Sequence, residues 1–159
     1  MSAVQAVVGV LKDAGVASGN IYWYDLPPAA LSTLPIDCVV VNSVGGSNSS
    51  TLPYKVTTVD LLHYSRTRGG AVRIDKKSSK ALLAVKSETH NGVWIEWASR
   101  AAGPASTIDP DTRYGLCLSS WNVRVAITDD VPLVIAASTY IFDDGNHFVF
   151  DDGNRLAWE

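Results

Sequence analysis

No apolar run in this chain approaches the ~20 residues that a membrane-spanning helix needs. The N-terminus carries neither the basic leader nor the long apolar core of a secretion signal. Sulfur is scarce too. Cys38 and Cys117 are the two cysteines, both inside apolar, β-like stretches, where buried reduced thiols are expected rather than a disulfide. These absences fit synthesis in a cytoplasm and no membrane partner. His63, His90 and His147 share no metal-ligand spacing with one another or with the cysteines. There is no Gly-x-Ser-x-Gly elbow, no His-Glu-x-x-His and no Cys-x-x-Cys, so no nucleophile, base and oxyanion donor can be assembled by motif. The glycines Gly45 and Gly46 are not followed by Gly-Lys-Ser/Thr, which removes a phosphate-binding P-loop. Asp109-Pro110-Asp111 brings two carboxylates close, yet Asp-Pro is a turn initiator and needs no further reason. Catalysis, a cofactor and a metal centre are not expected.

What is present is enough for one domain with a real core: 159 residues, 47% apolar, with five tryptophans. The net charge of -3 hides an uneven spread. Lys55 to Arg100 holds nine Lys or Arg against four acids, whereas Asp129 to Glu159 holds seven acids against Arg155 alone. Such a split suits head-to-tail electrostatic contact between copies, and equally two separately solvated faces.

Periodicity supplies the elements. Val4, Val7, Val8 and Leu11 form the i, i+3, i+4, i+7 stripe of an amphipathic helix that Gly15 is placed to end. A short strand over Ile21 to Tyr24 follows, then a proline-punctuated connection. Asp37 to Val44, with Val39, Val40 and Val41 in succession, reads as a buried strand. Gly45 to Pro53 reads as a polar loop or hairpin tip. Lys55 to His63 is a strand, and Thr67 to Lys86 a helix with Ile74, Ser78, Ala81, Leu82 and Val85 on one face. Arg73, Lys76, Lys77 and Lys80 lie away from that face. Gly92 to Arg100 alternates as a strand. A loop is expected over 103–112, then a long strand to about Thr128 with Trp121, Val123 and Val125 on one side. The expected fold is α+β: two helices packed on a mostly antiparallel sheet of about five strands, over residues 1–130.

The last thirty residues, 131–159, form an appendix in which FDDGN is written twice, eight positions apart. An EF-hand needs alternating ligands, a Gly at position six and a Glu at twelve, and neither falls in register here. Asp-Gly between β-formers is a strong hairpin signal because Gly accepts the positive φ of the tight turn. A C-terminal β-hairpin or meander is therefore expected, turning at Asp144-Gly145 and Asp152-Gly153. Tyr140, Phe142, Phe148 and Phe150 would pair across strands.

Three stretches together resemble the tail terminator (tail completion) proteins of long, non-contractile-tailed bacteriophages. They are IYWYDLP leading to LPIDCVVVNSVGG, then VTTVDLLHYSRTRGGAVRIDKKSSKALLAV, then GVWIEWASRAAGPASTIDPDTRYGLCLSSWNVRVAI. The resemblance covers about residues 3 to 128 and rests on the order and length of elements. It implies a virion protein without catalytic activity, a closed ring, expected to be a hexamer, on the head-proximal end of the tail tube. Its partners would be its own copies, the tail tube protein and the head-tail connector. Genomic DNA would pass through the lumen without sequence-specific binding. Assembly would take place in the host cytoplasm. Arg73, Lys76, Lys77, Tyr140, Phe142, Phe148, Phe150, Asp144 and Asp152 are then the expected subunit contacts. A connector or tube subunit remains an alternative, as does a small metal-dependent enzyme or calcium module using the Asp pairs.

Overall fold

The computed structural model describes residues 3–24, 37–48, 54–126, 141–143, 147–149 and 155–156. Helix α1 is Ala3–Asp13, with Val4, Val7, Val8 and Leu11 buried, and Gly15 follows in the left-handed region at φ 62°. Strand β1 (Ile21–Trp23) leads by way of the undescribed residues 25–36 to β2 (Asp37–Asn48). Strand β3 (Tyr54–Ser65) follows. Helix α2 (Arg68–Ala84) starts where Thr67 Oγ1 accepts from the Gly70 N–H at 3.1 Å, a side-chain cap for an otherwise orphan donor. Strands β4 (Glu88–His90) and β5 (Val93–Ile108) form a hairpin across Asn91-Gly92, both with positive φ. Strand β6 (Gly115–Ala126) completes the set.

These strands make one six-stranded sheet in the order β1-β2-β3-β6-β5-β4. Only the β1–β2 pair is parallel. Side chains alternate across a strand, so β3 and β6 each present one buried and one half-exposed row. Val39, Val41, Val59, Leu61, Ile95, Trp121, Val123 and Val125 share one face. They form a single core with Val4, Val7, Val8 and Leu11 of α1 and Ile74 and Leu82 of α2. Both helices therefore cover the same side, and the α+β, two-layer expectation is met.

Two boundaries differ from the sequence reading. β2 continues through Gly45 and Gly46 to Asn48, and β5 continues past Arg100, through residues expected to be loop, to Ile108. In both places the chain is exposed and the pairing shifts register, between Ser43 and Gly45 and twice between Arg100 and Ala105. Bulges break the period of two on which strand recognition depends. The strand β4 was not expected either. It is three residues long, and its exposed Glu88 and Thr89 give no apolar alternation.

Cys38 pairs in register with Tyr64 of β3, and Cys117 with His63. One strand, β3, lies between the cysteines, two inter-strand spacings or about 10 Å, and their side chains fall on opposite faces of the sheet. Both are free and buried, beyond the reach of a disulfide. Burial, with Asp37 adding to it, pushes the Cys38 thiol up to about 11.

Residues 128–159 form a second compact unit. It holds a three-stranded antiparallel sheet of β7 (Ile141–Asp143), β8 (His147–Val149) and β9 (Arg155–Leu156) in that order. Phe142 faces Phe148, and Phe148 faces Leu156, in the backbone register. The expected turn residues Asp144, Gly145, Asp152 and Gly153 lie outside the described residues.

Candidate functional site: a buried polar cluster and an exposed cationic face

The first gathering of reactive side chains sits where α2 meets the sheet. Register places His63 of β3 opposite Cys117 of β6, on the helix-covered side. Helix α2 lowers Asp75 and Ser78 onto them, and β5 brings Arg100. His63 and Cys117 are fully buried and Asp75 is 2% exposed. One ligand atom from each of the three lies within 4.8 Å of the others.

Hydrogen bonds fix the protonation. A carbonyl oxygen can only accept, so His63 Nδ1, at 3.0 Å from the Cys117 carbonyl, carries the hydrogen. Nε2 then accepts from the Ser78 hydroxyl at 3.0 Å. The Asp75 carboxylate accepts from Arg100 Nη2 at 3.1 Å and 3.3 Å. Arg100 also donates to the Ser79 hydroxyl, which donates to the Asp75 carbonyl at 2.6 Å. The guanidinium lies over the Trp121 ring, 5.0 Å from its centroid. Burial pushes the His63 pKa below its ordinary value, against weaker upward effects of the Cys117 carbonyl and Asp75. Burial likewise pushes the Cys117 thiol up, with Asp75 adding and Arg100 opposing.

His, Asp and Cys at this separation are a ligand set on paper. Their donors are already spent. A cation would have to displace Arg100 from Asp75, displace the Ser78 hydroxyl from the Nε2 lone pair of His63 and ionise a thiol that burial holds protonated. His63, Asp75, Ser78 and Cys117 are buried, and only the Arg100 side chain keeps contact with water. A neutral imidazole and one ion pair tie α2 to three strands.

That neutrality has a testable sign. His63 is depressed in the folded chain relative to about 6.5 unfolded. Its contribution is fully present above that unfolded value and is lost as pH falls from there through the folded pKa. Melting temperature is expected to drop between pH 7 and 5, and the slope to flatten in His63→Gln. Equal slopes in the two proteins would show that another group carries the dependence.

The second gathering is the outer face of α2. Arg73, Lys76, Lys77 and Lys80 are all exposed, and among the described residues none has an ion-pair partner. The helix contains one acid, Asp75, which is buried and held by Arg100. Spacings of three and four set these cations beside one another in four like-charge pairs. Each costs roughly 0.2–0.5 kcal/mol at low salt.

Of the residues expected at a subunit contact, Arg73, Lys76 and Lys77 thus lie together on this face. Phe142 and Phe148 are direct partners in the β7–β8 pair. Tyr140, Asp144, Phe150 and Asp152 lie outside the described residues. The buried cluster was missed by sequence reasoning, although one signal was available. Asp75 falls in the stripe of Ala71, Ser78 and Leu82, an acid on the apolar face of a helix.

Comparison with solved structures finds a similar fold in a chain of the virion of a native gene transfer agent particle. The TM-score is 0.58 at 12% identity, covering 79% of this chain and 95% of that one. At such identity the likeness is one of fold. No family model matches the sequence, and no curated protein does.

Proposed function

We propose that this chain is a virion structural protein and, within that class, a tail terminator. Copies would close into a ring on the head-proximal end of a tail tube, stop its growth and present a surface to the head connector. The fold shared with a virion chain over 95% of that chain's length is the observation that carries the reading. The resemblance to tail terminators in the order of elements supports the narrower assignment.

Two physical features agree with a self-associating subunit. Beyond Glu96, β5 has β6 on one side and no strand on the other among the described residues, and the same holds for β2 beyond Val41. Unpaired edges are templates for another copy. The helix-free side of the sheet also mixes Leu62, Leu116 and Leu118 with a cross-strand polar row. In that row Thr58 donates to Asn122 at 3.0 Å and Arg124 pairs with Glu96 at 2.9 Å. Interfaces combine an apolar centre with a polar rim, and this face offers residues of both kinds. Head-to-tail contacts that close give a ring, and contacts that do not close give a filament. The aromatic residues of the C-terminal unit, Tyr140, Phe142, Phe148 and Phe150, and the acids Asp144 and Asp152 are proposed as further contacts to a neighbouring copy.

Native mass spectrometry of the full chain tests this. A discrete hexamer is expected. Open tubes of growing length would favour a tube subunit, and a monomer at micromolar concentration would overturn the ring.

A further inference from the structure

We infer that the outer face of α2 binds the phosphate backbone of DNA without reading its sequence. Its four cations lie on successive turns across residues 73–80, about 10 Å along the helix axis. Duplex DNA presents a negative charge every ~1.7 Å of its own axis, so a helix laid along the backbone meets several phosphates at once. The exposed stripe is purely cationic: the one acid in its helix, Asp75, is buried and held by Arg100, and no acid among the described residues pairs with these four cations. A polyanion laid on it removes their mutual repulsion.

An acidic protein surface is the rival occupant, and the face suits it poorly. Lysine is depleted at protein interfaces, which need an apolar centre. The exposed large apolar residue on this helix is Leu83, beyond the end of the stripe. No aromatic residue stands among the cations to stack on unpaired bases. Binding through backbone charge alone favours duplex, and base identity would not matter. The assignment rests on the ring reading only for what brings DNA past this face; the binding itself belongs to the subunit.

Fluorescence anisotropy of the full chain with a mixed-sequence duplex of about 20 base pairs is the test. Binding is expected at low salt, equal for unrelated sequences. The slope of log affinity against log salt should be about −3 to −4, the release expected for four neutralised phosphates. In the variant Arg73→Gln, Lys76→Gln, Lys77→Gln, Lys80→Gln, affinity should fall at least tenfold. Melting temperature should be unchanged or higher, since the repulsion is gone. Lys12→Gln, an exposed lysine on the other helix, should bind as the parent does. No binding by the parent at low salt, or undiminished binding by the quadruple variant, would overturn the assignment. So would a variant whose oligomer falls apart, because the stripe would then be a contact between copies. A parent that binds DNA as a monomer would leave this inference standing and remove the ring.

Discussion

Arg100→Ala is expected to destabilise the N-terminal unit by about 3–5 kcal/mol, the usual cost of stranding one partner of a buried ion pair. The Asp75 side chain is 3% exposed, and Arg100 is its salt-bridge partner. Without the guanidinium a carboxylate stays beneath α2 with no charge to meet it. Trp121 loses its stacked neighbour, and the Ser79 hydroxyl loses its donor. The reverse change should be milder. Arg100 keeps a quarter of its side chain in water, so in Asp75→Asn the guanidinium can be solvated. Urea denaturation of both variants is the measurement. Equal losses, or a loss below 1 kcal/mol for Arg100→Ala, would mean that the pair does not hold the helix down.

Gly115→Ala is the second large effect. Gly115 begins β6 directly beneath the first turn of α2, and a methyl group there would fall inside the Thr67–Arg68 peptide. Backbone cannot rotate away as a side chain can, so α2 must lift from the sheet. Overpacking of this kind costs typically 1–3 kcal/mol, and here the upper end is expected. Gly69→Ala is the matched control, because nothing lies within 4 Å of that position. It should be neutral or stabilising by roughly 0.5 kcal/mol through the unfolded chain. If both variants lose the same stability, close approach does not set the value of Gly115.

These two sites also mark where the sequence is readable. The Val39-Val40-Val41 run and the alternation of Trp121, Val123 and Val125 announce buried strands, because burial forces apolar side chains at a fixed period. The stripe of α1 is legible for the same reason. The far half of β5 is not: its residues from Ala101 to Ala105 are exposed, so nothing selects their polarity. The cluster of His63, Asp75, Arg100 and Cys117 was illegible for another reason. Its members are spread over 54 positions and come from three strands and a helix, joined by sheet register that no local spacing encodes. The cations of α2 were visible from the start. That none of them has an ion-pair partner among the described residues required the fold.

The central pairing of β3 with β6 has a consequence for the order of events on the ribosome. Its register joins Ser65 to Gly115 and Tyr54 to Ala126, partners 50 and 72 positions apart. Until Ala126 has been synthesised, the β2–β3 hairpin has no second neighbour, and Val59 and Leu61 cannot be enclosed. Sheets closed by such distant partners fold in milliseconds to seconds. The subunit therefore completes itself only after most of its chain has been released. Nascent copies on one messenger would spend that interval with sticky strands in view of each other. The three bulges along β5 and the proline at Pro104, which has no N–H to offer a passing strand, blunt the edge most exposed to such collisions.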